Sequence, residues 1–117
     1  MTGAKVVVAA RIFFADEAQR DAAVAASTEI QRATRDDEPG CLAYCFAADP
    51  ADPLAVQVYE LWDDEASLAA HFEHPNYLAM RDVLRSFDRS GPSIQRKYRC
   101  DAEAAVYTDA GVPTAGF

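Results

Sequence analysis

The sequence predicts an α+β fold with four strands and two helical regions in the order β-α-β-β-α-β. Two observations carry this expectation. Four segments alternate their side chains with the period of two that a strand requires, and two intervening segments repeat apolar residues at helical spacing. Breaks rich in Pro, Gly and Asp fall between these segments rather than inside them.

Residues 5–14, KVVVAARIFF, place Val6, Val8, Ala10, Ile12 and Phe14 on one face and Val7, Ala9, Arg11 and Phe13 on the other. Both faces are largely apolar, so this strand is expected to be covered on both sides. Asp16 starts a helix, with Gln19 three residues on as in a capping box. The helix is expected to run to about Arg35, with Ala23, Ala26, Ile30 and Ala33 as a stripe of mostly small residues against the sheet. Glu38-Pro39-Gly40 ends it and turns the chain. Residues 41–48, CLAYCFAA, and 55–62, AVQVYELW, are strands joined by the DPADP connection, an antiparallel hairpin pattern. In the second of these, Val56, Val58, Glu60 and Trp62 share a face opposite Gln57, Tyr59 and Leu61. Asp63 or Asp64 caps the next helix, which carries Leu68, His71 and Phe72 on one side. Pro75 suits the first turn of a new helix, not the middle of an old one. Tyr77, Met80, Leu84 and Phe87 continue the stripe until Ser90-Gly91-Pro92, and a last strand covers about residues 93–106.

This order is the split βαβ, or ferredoxin-like, arrangement: a four-stranded antiparallel sheet with the helices on one face. The other face still carries Val, Phe, Leu and Tyr, more apolar surface than a monomer of this size leaves wet. A second copy packed sheet to sheet is the simplest cover, so a homodimer is expected. At 117 residues the chain is expected to be a single domain, residues 1–117. Its core covers about 5–107, with 108–117 a flexible or partner-contacting tail.

The formal net charge of −8 speaks against nucleic acid and anionic membranes as partners, since both need clustered Lys and Arg. It also favours neutral, cationic or apolar substrates over polyanionic ones. No apolar run approaches a membrane span, and the N-terminus lacks the pattern of a secretory signal, so a cytoplasmic location is expected. Three cysteines is an odd number that suits a reducing compartment. Cys41 and Cys45, four apart in a strand, would be roughly 13 Å apart and cannot bridge.

The segments VVVAARIFF, TRDDEPGCLAYCF, DPADP and VQVYELWDDEASLAAHFEHPNY, in that order, resemble the antibiotic biosynthesis monooxygenase (ABM) domain over about residues 5–107. The resemblance implies a homodimer whose two sheets close into a dimeric α+β barrel, with a pocket between sheet and helices in each subunit. It also implies oxygenases that act on quinols and aromatic polyketides without metal or flavin. The haem-degrading branch of that fold places an Asn, a Trp and a His where this chain has Ala10, His71 and Arg81, which speaks against haem. At the polar partner positions of the polyketide oxygenases this chain has Val58 and Leu68.

The candidate catalytic residues are His71 and Trp62, and the candidate substrate-binding residues are Tyr77, Glu60, Tyr44 and Phe72. His71 is the best general base in the chain, because an imidazole titrates near neutrality. Removing a phenolic proton makes an aromatic substrate electron-rich enough to pass an electron to O2. A core histidine satisfied by a backbone carbonyl is the alternative. Trp62 is read as a pocket wall or as a core anchor, with an indole N–H to donate. Glu60 is expected to pair with Arg11 across the sheet, and Tyr77, on a helix over the pocket, to touch a ligand. His71 and His74 have metal-ligand spacing, but His74 is expected to cap the helix before Pro75, and no metal is expected. Glu38, Pro39 and Gly40 are read as turn chemistry alone. No phosphate loop, Ser/Cys–His signature or dinucleotide fingerprint is present, and no cofactor is expected. The function expected is therefore a cofactor-independent monooxygenase of a small quinol, phenol or polyketide-like aromatic. The alternative is a non-oxidative isomerase or a small-molecule binding protein.

Overall fold

The computed structural model describes residues 3–117. It contains strands β1 (Lys5–Phe13), β2 (Cys41–Ala48), β3 (Ala55–Trp62) and β4 (Ile94–Cys100). The helices are α1 (Glu17–Ala26), α2 (Thr28–Asp37), α3 (Glu65–Glu73) and α4 (Pro75–Arg85). The sheet is antiparallel at every pairing, in the order β2-β3-β1-β4, and the fold is the expected ferredoxin-like α+β type. The register sets Val8 between Glu60 and Lys97, and Ala10 between Val58 and Gln95.

The core lies between the sheet and the helices, where Val6, Ile12, Phe14, Tyr44, Phe46, Val56, Val58 and Trp62 meet Ala23, Leu68, Met80 and Leu84. The helix starts follow the sequence closely. Asp16 accepts a hydrogen bond from the Gln19 N–H, Asp64 from that of Ser67, and His74 Nδ1 from that of Asn76 directly before α4. Each satisfies one backbone donor that the first helical turn leaves free.

Three expectations need correction. The first helical region is broken at Ser27, where the side-chain hydroxyls of Ser27 and Thr28 both donate to the Val24 carbonyl and compete with the helical ladder. Its buried side is also not the alanine stripe. Ala26 is exposed, whereas Arg20, Ala23, Ser27, Gln31 and Thr34 are buried. The polar set wins this face because the sheet edge offers it partners. The Gln31 carboxamide donates to the Phe46 carbonyl at 3.0 Å and accepts from the Phe46 N–H at 2.9 Å. Arg35 donates to the Tyr44 carbonyl, and Arg20 to the carbonyls of Asp49, Asp52 and Ala55. Helix α2 thus closes the open edge of β2 with side chains.

The last strand stops at Cys100, not near residue 106, because Cys100 pairs with Lys5 and β1 offers no further partner. Residues 106–114 instead form a small exposed hairpin, with Tyr107 bridged to Pro113 and a turn at Gly111. The second face of β1 is not covered within the chain: Val7, Ala9 and Phe13 are only half-buried, and their neighbours Tyr59, Ile94 and Tyr98 are about half exposed. No helix among the described residues is long and apolar enough to cross a membrane.

Replacing Gln31 by Leu keeps the bulk but strands the N–H and C=O of Phe46 away from water. The expected loss is about 2–4 kcal/mol of unfolding free energy in urea melts, and a loss below about 0.5 kcal/mol would show that the β2 edge does not depend on this pair.

Candidate functional site

A cavity of about 400 Å³ opens between the sheet and helices α3 and α4. Its floor is Val8, Ala10 and Ile12 of β1 with Val58 of β3 and Phe46 of β2, its roof is Met80 and Leu84 of α4, and Tyr44, Glu60, His71, Phe72 and Tyr77 close one end. The alternation of β1 and β3 aims these side chains at the helices. Asp64 fixes where α3 begins, and so which of its residues faces the sheet.

His71 is the centre of that end. It is 2 % exposed, and its Nδ1 lies 2.7 Å from Oε1 of Glu38, which is itself buried. The other Glu38 oxygen accepts from Asn76 Nδ2 at 3.2 Å and has His74 Nδ1 at 3.8 Å. Against an ionised Glu38 the Nδ1 position must carry the proton, which leaves Nε2 as the free acceptor of the neutral ring. Burial pushes the His71 pKa below the ordinary histidine value; the Glu38 contact opposes that shift and does not reverse it. The imidazole is therefore held in its basic form at neutral pH. Four aromatic rings enclose it. Trp62 lies against it at 4.5 Å with the rings tilted by 33°, and Tyr44, Tyr77 and Phe72 approach at 5.4, 5.4 and 5.9 Å.

Glu60 is the second titratable group on the cavity wall, and it does not pair with Arg11. Arg11 contacts Asp52 at 3.2 Å, whereas Glu60 accepts the Trp62 indole N–H at 3.0 Å. The reason is the pleat. Arg11 stands on the far face of β1 with Gln57, and Glu60 points toward the helices. Burial raises the Glu60 pKa to about 7; the indole N–H offsets part of this, and the nearby Glu38 charge adds to it. Burial likewise raises Tyr44 well above the usual phenol range, with Glu60 next in effect, so Tyr44 remains a neutral hydroxyl. Cys41 is pushed up to about 11, chiefly by burial, which removes it as a thiolate nucleophile.

The sequence model of the family described as "antibiotic biosynthesis monooxygenase" matches residues 5–83. The chain belongs to the ABM family. No match is found among curated proteins. Solved structures that it resembles include a "putative antibiotic biosynthesis monooxygenase" from Caulobacter crescentus, with a TM-score of 0.76 and 16% identity over 86% of this chain and 93% of that one. Rv0793 from Mycobacterium tuberculosis matches with a TM-score of 0.72 and 25% identity, over 86% and 99% of the two chains. A conserved protein from Methanosarcina mazei gives 0.72 and 19%, over 82% and 92%. At these identities the structural likeness speaks for the ABM fold.

Within this ABM chain, the structure brings His71, Tyr77, Glu60, Tyr44 and Phe72 onto one cavity. Trp62 is fully buried behind them and does not line it; it stacks on His71 and holds Glu60. Glu38, read from sequence as turn chemistry alone, is the residue that sequence reasoning missed. The signal was weak: an acidic residue directly before Pro-Gly has no helical register to show where it points. Gly40 adopts φ +82 and sits against Ser67 of α3, so the turn folds back under the α3 helix and carries Glu38 to His71.

These shifts predict a pH dependence. Native Glu60, raised from 4.5 to about 7, holds a proton that the unfolded chain has released, so stability falls as pH rises through that window. His71 acts in the opposite sense, since its lowered pKa costs stability as pH drops below the ordinary histidine range. Glu60→Gln removes only the first effect. Relative to the unsubstituted protein it is expected to gain on the order of 2–3 kcal/mol between about pH 5 and about pH 8, read from urea melts. An unchanged difference across that range would show that Glu60 is not protonated in the native state.

Proposed function

We propose that this ABM-family protein is a cofactor-independent monooxygenase of a small phenol, quinol or polyketide-like aromatic, with His71 as the general base. The observation that carries this reading is the buried Glu38–His71 contact at 2.7 Å, beside a cavity whose size suits a compact aromatic molecule. A carboxylate on Nδ1 orients the ring and stabilises the imidazolium that forms when Nε2 accepts a proton.

In a hydroxyanthrone-like substrate, the proton taken by His71 leaves an electron-rich ring anion. That anion passes one electron to O2, and the resulting radical and superoxide join through a new carbon–oxygen bond. The peroxide anion regains a proton and the second hydrogen leaves the same carbon, so water departs and a carbonyl remains. One oxygen atom ends in the product and one in water, and the CH2 carbon of the substrate supplies all four electrons and both hydrogens. Glu60, poised near neutrality, is the second group able to return a proton to the departing oxygen. Tyr44, Tyr77 and Phe72 exclude water from the anion, and Trp62 positions both His71 and Glu60 from behind.

The reading includes a homodimer closed across the bare sheet face, supported by the half-exposed Tyr59 of β3 and Ile94 and Tyr98 of β4, which flank β1 on that face. Light scattering after size exclusion is expected to give twice the chain mass, and a stable monomer at micromolar concentration would overturn this part.

Oxygen uptake by metal-stripped protein, with a panel of quinols and hydroxyanthrones, tests the reaction. His71→Ala is expected to reduce turnover roughly a hundredfold, and Glu38→Gln by a smaller factor with a lower pH limb displaced to lower pH. The lower limb moves that way because the Glu38 contact supports the His71 proton. Tight binding without oxygen uptake on every panel member would overturn the oxygenase reading in favour of a binding module.

A further inference from the structure

The end of the cavity opposite His71 is lined by Arg81, Arg85 and Arg89, with Ser93 and Gln95 beside them. Such a concentration of positive charge is unusual in this molecule, which has 11 Lys and Arg against 19 Asp and Glu. Elsewhere Lys5, Arg11, Arg20, Arg32 and Arg99 each sit against a carboxylate and Arg35 donates to the Tyr44 carbonyl, while Arg96 and Lys97 of β4 stand without a carboxylate partner among the described residues. Among the described residues, Arg85 and Arg89 have no carboxylate within ion-pair distance. Arg81 has only the edge of Asp82 at 3.9 Å, and its Nε is buried without a hydrogen-bond partner. Arg89 is steadied by the ring of Phe14, 5.3 Å from its guanidinium carbon. The only carboxylate lining the cavity is Glu60, at the far end.

The two ends are well separated along both walls. Tyr77, Arg81 and Arg85 follow one another at four-residue steps on α4, so Tyr77 and Arg85 are roughly 12 Å apart along the helix. On the floor, Val8 lies beside Glu60, whereas Ile12 lies toward Ser93 and Arg89, again roughly 13 Å away at strand rise. Apolar side chains, Ala10, Phe46, Val58, Met80 and Leu84, fill the distance between.

We propose that this arginine end is a carboxylate-binding subsite, and that the substrate is an elongated aromatic carboxylate whose hydroxyl meets His71 while its carboxylate meets Arg85 and Arg89. A guanidinium matches a carboxylate through paired N–H donors, and a bound anion gives the unpaired Arg81 Nε and the mutually repelling Arg85 and Arg89 the partner that the chain itself withholds. The apolar middle suits two or three fused rings. Charge on the whole molecule disfavours anions, but the cavity reverses that preference locally. The placement of the hydroxyl end rests on the base assignment above; the anion end does not.

The test is equilibrium binding, by calorimetry without turnover, of a hydroxynaphthoate carrying its hydroxyl and carboxylate at opposite ends of the rings. Its uncharged carboxamide is measured in parallel. The acid is expected to bind about tenfold or more tightly than the amide at low salt, and to lose that advantage as salt rises. In Arg85→Gln/Arg89→Gln, a pair of exposed positions, the preference is expected to fall to within about twofold while the amide binds as before. Equal binding of acid and amide, binding of neither at millimolar concentration, or a preference that survives in the double variant would overturn the proposal. His71→Gln is expected to keep the acid preference. A preserved preference without oxygen uptake therefore sinks the oxygenase reading alone, and uptake that is equal for acid and amide sinks the subsite alone.

Discussion

The contact between Glu38 and His71 ties together three parts of the chain: the end of α2, the last turn of α3 and, through Asn76, the start of α4. A buried carboxylate is tolerated only when its oxygens are occupied, and here both are. One meets the imidazole and the other the Asn76 amide. The turn at Gly40 is the mechanical condition for this. Its positive φ suits glycine, a Cβ there would collide with the Ser67 side chain, and its carbonyl receives the Asp63 N–H at 2.8 Å. The His71 imidazole, its orienting carboxylate and the helix that presents it are therefore set by one tight reversal rather than by three independent choices.

That constraint also sorts the two carboxylates of the site. Glu38 has hydrogen-bond donors on both oxygens, whereas Glu60 has one indole N–H in surroundings that are otherwise apolar. Burial then drives Glu60 toward its neutral form, and the Glu38 charge pushes in the same direction. Similar side chains thus occupy different states: one fixed and paired, the other close to half-protonated near neutral pH. Trp62 contributes to both by stacking on His71 and donating to Glu60, which explains a buried indole whose N–H is not wasted.

How much of this was legible in the sequence depends on whether periodicity reports the contact. The strand faces were legible because alternation is a direct record of which side is buried, and Val56, Val58, Glu60 and Trp62 do share the helix side. The helix caps at Asp16, Asp64 and His74 were legible from local spacing. The buried stripe of α1 and α2 was not, because Gln31 and Arg20 are buried by hydrogen bonds to strand carbonyls that hydrophobicity does not encode. Glu38 escaped for the same reason: its role comes from a partner 33 residues away. The arginine end of the cavity was hidden by the net charge, a global quantity that says nothing about where Arg81, Arg85 and Arg89 converge.

The sealing of β2 by Gln31 and Arg35 has a consequence beyond stability. A sheet has two edges, and in this one the helix side chains already occupy both backbone groups of Phe46 and the Tyr44 carbonyl. Only β4, carrying Arg96, Lys97 and Arg99, still presents a free row of N–H and C=O groups. Edge-to-edge joining of two sheets that leaves those bonds intact uses β4 on both sides. Adding a further strand at β2 would have to displace the Gln31 and Arg35 bonds, which disfavours open-ended growth by strand addition.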